Sequence, residues 1–299
     1  MRIRLALFIL SVALWPAPSA ARETVPLKMA VLDVGGAPVA SRVAERLPKL
    51  LGLSIRTDIK LTVLDRDLSR AAARGVGYTG SLNMTLAEAR ALGAAVGCDF
   101  FLTGDVQTIR RSSSAHPIYY ESYASVFVVS AQTGRLVLWD RPAAEADTAE
   151  GAEAALLAKL DAATVGSYVS AVAEAAAREQ RERFAVEEVA TAAVIDLSTD
   201  EGAVANKDLR EPAPYRRLRP AYTDAAARAE AEATVDALVE IGADGEVADV
   251  RVVRWAGFGL DEEVVATVKR MHFRPAQREG EPVPVRVLLR YNFRKPLKS

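Results

Sequence analysis

The chain has little of what catalytic and metal sites are built from. Of its 299 residues one is cysteine, Cys98, and two are histidine, His116 and His272. A single cysteine excludes an intramolecular disulfide and any Cys-rich zinc or iron–sulfur site. Two isolated histidines leave no material for another metal centre, so no metal is expected. An excess of charge of one sign is missing too. The 38 basic and 39 acidic residues give a net charge of -1, which argues against nucleic acid as a partner. No nucleophile–base pair and no convergent carboxylates stand out. The chain is therefore read as non-enzymatic, with no catalytic residue and no cofactor, and as an interaction protein. What is present is ordinary for a globular protein: 50% hydrophobic and 26% charged residues. At roughly 150 residues per domain, the length suggests about two domains.

Residues 1–21, MRIRLALFILSVALWPAPSAA, read as a signal peptide. Arg2 and Arg4 precede an apolar core, Leu5–Trp15, which Pro16 and Pro18 end before small residues. The core is short against the about 20 apolar residues of a membrane span. Export to the periplasm is expected, with cleavage near Ala20 or Ala21. Retention of this segment would instead leave the protein membrane-associated.

Residues 24–182 read as a mixed α/β layer domain. Lys28–Val34 is a buried strand closed by Gly35-Gly36. A helix opened by Pro38 follows, with Pro48 expected to kink or split it. Leu61 and Val63 fall on a second strand that includes Ile59, and Asp67–Arg74 on a short helix. Thr85 and Glu88 are spaced as a capping box for a helix over 86–96. Cys98–Ile109 is a strand. Tyr119–Ser130 and Arg135–Asp140 form a hairpin about Gln132-Thr133-Gly134. Residues 149–182 read as one long amphipathic helix with a stripe of Leu156, Leu160, Tyr168 and Val172. The phrases VLDRDL (63–68) and MTLAEARALGAAVGCDFFLTGDV (84–106), with the Thr133-Gly134 turn, resemble the CsgG-like or TolB amino-terminal-like family. That resemblance implies envelope assembly or secretion through protein binding. The secretion-channel members carry a lipidated Cys that this chain lacks, which puts a pore-forming role in doubt.

Gly75-Val76-Gly77-Tyr78-Thr79-Gly80 matches G-x-G-x-x-G. A dinucleotide site needs those glycines to leave a strand and open a helix. Here a helix precedes them and a loop follows, so they read as a flexible loop.

Residues 183–212 read as a linker, with an extra strand within Val189–Leu197 and loop over Asp200–Glu211. Residues 213–299 carry the clearest pattern. Val235, Ala237, Val239 and Ile241 alternate, Asp244-Gly245 signals a hairpin, and Val247–Val253 returns. A helix runs from Leu260 to Met271. Gly280 turns the chain into a long alternating strand. The order is ββαβ, and the overall class α+β.

The pieces PAYTDAAARAEAEATV (220–235), IGADGEVADVRVV (241–253) and GFGLDEEVVATVKRMHFRPAQREGEPVPVRVLLRYNF (257–293) closely resemble the TonB C-terminal domain family. The chain is therefore identified as a TonB family protein. Members of that family pair by strand addition with a short segment of an outer-membrane transporter. The resemblance thus implies envelope or outer-membrane protein partners, with homo-oligomerisation left open. The candidate partner-binding edge is Val285, Arg286, Val287, Leu288, Leu289, Arg290, Tyr291 and Phe293, since an unpaired last strand is a template for pairing. Arg286, Arg290 and Arg294 recur on its second face, either to solvate the sheet or to meet an acidic partner. Two alternatives stand beside this reading: a membrane-anchored energy transducer for outer-membrane transport, and a CsgG-like assembly or secretion accessory protein. Cys98 reads as a small buried hydrophobe, His272 as a helix-end packing residue, and Asp65 and Asp67 about Arg66 as a turn with local ion pairing. Trp139 and Trp255 read as core or rim aromatics.

Overall fold

A computed structural model describes residues 26–53, 60–112, 118–185, 194–206 and 208–295. The expected signal peptide, Ile59, His116 and most of the Val189–Leu197 segment lie outside them.

The first layer is a sheet in the order β2-β1-β3-β4-β5. β1 (Leu27–Gly36) runs through Gly35-Gly36 instead of ending before them, because both glycines pair with Asp105 and Val106. Helix α1 (Ala40–Leu53) leads to β2 (Leu61–Val63), and α2 (Arg66–Gly75) and α3 (Leu86–Val96) lead to β3 (Phe100–Arg111). β1 pairs in parallel with both β2 and β3. The chain then turns back antiparallel through β4 (Tyr119–Ser130) and β5 (Leu136–Asp140), and β6 (Ala143–Ala146) returns to β4. Pro48 does not split α1. Val43, Leu47 and Leu51 are fully buried against the sheet, and that packing offsets the one backbone donor that proline lacks. The capping box at α3 forms as spaced: Glu88 N donates to Thr85 Oγ1, and Thr85 N to the Glu88 carboxylate.

The long helix expected over 149–182 is two helices, α4 (Ala149–Lys159) and α5 (Ala162–Ala185), bent by 52°. Leu160 caps the end of the first, and Asp161 caps the start of the second by accepting from Thr164 N at 2.8 Å. The turn lets Leu156, Leu160, Tyr168 and Val172 all stay buried on one sheet face. No single helix among the described residues is long and apolar enough to cross a membrane.

Strand alternation divides the core. Met29, Val31, Phe100, Leu102, Val126 and Val128 pack under α1, α4 and α5. Ala30, Leu32, Phe101, Phe127 and Val129 face the other way, toward α2, α3 and the second half of the chain.

That half begins with β7 (Ile195–Asp196), α6 (Asp200–Ala205), β8 (Ala213–Pro214) and α7 (Asp224–Ala229). The stretch read as loop, 200–211, thus contains a short helix, with Thr199 capping it. β9 (Ala233–Ile241) and β10 (Val247–Arg254) form the hairpin, and α8 (Leu260–Val268) crosses it. Gly245 turns it at φ 84°, with its α-carbon against the Phe273 carbonyl, where a side chain has no room. β11 (Phe273–Arg274) pairs β8, β12 (Ala276–Arg278) pairs β13 (Glu281–Val283), and β14 (Val285–Phe293) closes the chain. The sheet order is β10-β9-β14-β7. Val235, Ala237, Val239, Ile241, Val285 and Phe293 bury one face with Val264, Val268 and Met271.

Candidate protein-interaction surface

β14 is held along its whole length on one side and only at its start on the other. It pairs antiparallel with β9 from Val285↔Ile241 to Phe293↔Ala233. On its outer side, β7 pairs in parallel at Val285 and Arg286 alone. Ile195 N donates to Pro284 O at 3.1 Å and Leu197 N to Arg286 O at 2.8 Å. Main-chain groups alternate sides along a strand, so Leu288, Arg290 and Asn292 also turn theirs outward. Among the described residues no strand pairs with that outer edge beyond Arg286. Of the strand expected within Val189–Leu197, the described residues contain β7, Ile195–Asp196. Its pairing with a residue about ninety positions away leaves no local signal.

The second face of β14 is a cross-strand ladder. Arg286 sits opposite Glu240 and binds it at 2.5 Å, and it reaches Asp196 of β7 at 3.4 Å. Arg290 sits opposite Asp236 and grips both its oxygens, at 2.7 and 3.0 Å. Asn292 meets Thr234 at 2.8 Å. Between the ion pairs Leu288 lies opposite Leu238 and is exposed. Asp236 is 3% exposed and also accepts from Arg254 at 3.2 Å. Burial alone pushes its carboxyl up, but the two guanidinium groups outweigh that and hold it below the usual range. Arg290 thus pairs with β9, and Arg286 bridges β9 and β7.

A second feature is the joint between the two sheets. Asn83, just ahead of α3, acts as a surrogate backbone residue. Its Nδ2 donates to Thr234 O at 2.8 Å and to Trp255 O at 2.6 Å, and its Oδ1 accepts from Thr234 N at 3.1 Å. Trp255, 1% exposed, donates its Nε1 to Gly134 O at 3.1 Å and stacks on Phe127 with ring centroids 5.7 Å apart. Phe258 meets Phe127 edge-on and Trp139 at 4.9 Å. Gly257, at φ 73°, lies flat on Phe127 and Trp139, where a β-carbon would be crowded. Asp261 fixes this loop by accepting from Ala256 N at 2.9 Å and Gly257 N at 2.8 Å. Its burial pushes the carboxyl up to about 6.

Residues 219–294 match the family model described as Gram-negative bacterial TonB protein C-terminal. This part of the chain is a TonB C-terminal domain. Solved structures similar to the chain include the solution NMR structure of the Pseudomonas aeruginosa TonB CTD, at 22% identity and TM-score 0.26, covering 35% of this chain and 96% of that one. The LpoB C-terminal domain from Escherichia coli is 17% identical with TM-score 0.28, covering 39% and 81%. Lipoprotein GNA1162 from Neisseria meningitidis is 13% identical with TM-score 0.32, covering 51% and 99%. No curated protein matches the chain.

All eight candidate edge residues lie on β14, but on two faces. Val285, Val287, Leu289, Tyr291 and Phe293 face the core of the TonB C-terminal domain, whereas Arg286, Leu288 and Arg290 face outward. Two isolated residues, His272 and Asp65, take roles the sequence did not suggest, while Cys98 packs against the core. His272 is exposed and meets Glu246 at 2.8 Å, because the DG turn brings Glu246 beside the end of α8. Asp65 caps α2 by accepting from Leu68 N at 2.9 Å. Cys98 is half-buried, its thiol pushed up to about 12 by burial. The Gly75–Gly80 loop follows α2, and α3 opens only at Leu86.

Proposed function

We propose that the TonB C-terminal domain binds proteins of the cell envelope by strand addition on the outer edge of β14, without enzymatic chemistry. The observation that carries this reading is β7. A piece of chain from outside the matched residues 219–294 already adds to that edge as a strand, and it stops after two residues. The main-chain groups of Leu288, Arg290 and Asn292 continue the same row. A partner segment in extended form satisfies them, and main-chain hydrogen bonds of this kind supply affinity. Leu288 offers the one large apolar side chain on that stretch. Arg286 and Arg290, each held by a β9 carboxylate, support the solvating role over capture of an acidic partner.

The signal-peptide pattern of residues 1–21 and the TonB family likeness together support a periplasmic location. The CsgG-like and TolB-like phrases support a docking or assembly role for the first domain. The joint through Asn83 and Trp255 then presents the β14 edge from a fixed base.

The test titrates peptides from N-terminal segments of outer-membrane transporters against the full chain and against Leu288→Pro. Proline there removes one outward N–H, a change edge strands tolerate. The parent is expected to bind, and the variant to bind about tenfold more weakly with an unchanged melt. Equal binding by both, or none by the parent, overturns the reading.

A further inference from the structure

We propose that a second groove, walled by two unpaired strand edges from different sheets, binds an extended apolar and basic segment of a partner protein. This does not rest on the β14 edge. β5 ends the first sheet and β10 ends the second; among the described residues each pairs with a strand on one side only, apart from a single bridge between Arg254 at the end of β10 and Thr85. Between them lies a cleft of about 510 Å³ whose walls include Leu136, Leu138, Trp139, Val250, Val252 and Glu262. That volume is in the range of ligand-binding clefts.

The pairing pattern sets which main-chain groups face the cleft. Arg286 turns its carbonyl to β7, so Val285 and Val287 turn theirs to Ile241 and Val239 of β9. Glu240 and Leu238 then face β10 and take Asp249 and Arg251, which leaves Val250 and Val252 facing outward. On the other wall, Ala124 N donates to Pro142 O, so alternation turns Asp140 toward β4 and Trp139 away from it. An extended backbone satisfies such rows of donors and acceptors, whereas the flank of a helix has none to offer.

The β10 edge already takes extended chain at its end. Trp255 N donates to Met84 O at 3.2 Å, and Thr85 bridges Arg254. The groove continues that interface. In its wall, Trp139 Nε1 is buried and has no hydrogen-bond partner among the described residues. Charge selects the occupant further. The rim arginines Arg135 and Arg251 are paired with Glu182 and Asp249. Exposed Glu262 has no ion pair among the described residues, and Asp261 beside it is held only by two backbone N–H groups. Lys269, lining an adjoining depression, lies about two turns further along the chain. A lysine or arginine of the occupant therefore belongs beside Glu262, with apolar residues against Leu136, Val250 and Val252.

The test pans a phage-displayed random dodecapeptide library on the immobilised full chain and titrates the enriched peptides. They are expected to alternate apolar residues with lysine or arginine and to bind the parent and Leu288→Pro alike. Val250→Pro, which removes one outward N–H, and Glu262→Lys are each expected to weaken binding about tenfold. Amide exchange at Val250 and Val252 is expected to slow in the complex. Should Val250→Pro fail to fold, Glu262→Lys, an exposed change, still decides. The proposal is overturned if no peptide is enriched, if both variants bind as the parent does, or if only Leu288→Pro loses binding, which places the peptides on β14.

Discussion

The sheet β2-β1-β3-β4-β5 has both faces covered: α1, α4 and α5 lie on one, and α2, α3 and the loop carrying Trp255 and Phe258 on the other. The sheet β10-β9-β14-β7 has α8 on one face and an ion-pair ladder on the other. The first spends its surfaces on apolar burial, which is non-directional and stabilising. The second keeps a polar face, a partly open edge at β14 and another at β10. The two sheets thus differ in how much of their surface is polar, and the Trp255 joint connects them.

The strongest way to break this contrast is at the joint. Trp255→Ala removes a fully buried ring, its stacking on Phe127 and its bond to Gly134, at a cost of about 3–5 kcal/mol. Urea unfolding with amide exchange should show β4 and β9 losing protection together. Loss confined to the second sheet would mean that the two fold separately.

Next comes the ladder. Asp236→Ala leaves the Arg254 and Arg290 guanidinium groups without their shared carboxylate, which should cost about 1–3 kcal/mol in chemical denaturation. A neutral result would make the ladder a surface ornament and leave register to the apolar face.

A pH experiment sharpens the contrast at the joint itself. Burial raises the folded Asp261 carboxyl to about 6 from 3.8. The folded chain therefore holds this proton more tightly than the unfolded chain does. The stability it contributes is complete below about pH 4 and is lost as pH rises through about 6. Asp261→Asn cannot ionise, so its melting temperature should climb relative to the parent over that window and run parallel above it. An offset constant across the window would mean that the carboxyl is not desolvated by the joint.

The smallest effect on stability is expected at the open edge. Leu288→Pro should change unfolding by no more than about 0.5 kcal/mol, because its N–H faces outward and its side chain is exposed. A larger loss would show that the edge is already paired.

Much of this architecture was legible because its signals are local. The capping box at Thr85 and Glu88 places α3 within one turn of chain. The Asp244-Gly245 turn sets the β9–β10 hairpin, and the alternation of Val285 through Phe293 sets β14. Asp161, with Thr164 three residues on, carried a capping signal that would have divided the long helix; the unbroken apolar stripe hid it. Asn83 carried no signal at all. It is one polar residue in a loop, and its role exists only because Thr234 and Trp255 come to it.

The sequence by itself determined where strands and helices form and which of their faces are apolar, since neighbouring residues decide both. It also carried the TonB C-terminal pattern, whose turn and helix residues lie close together in the chain. Only the tertiary structure decided that β7 adds to β14, that Arg286 and Arg290 are held by β9, and that two sheets meet at Trp255 and leave a groove between β5 and β10. These facts depend on main-chain groups and side chains far apart in sequence. Which strand edges meet follows from how the two cores pack, and no short stretch of residues encodes that.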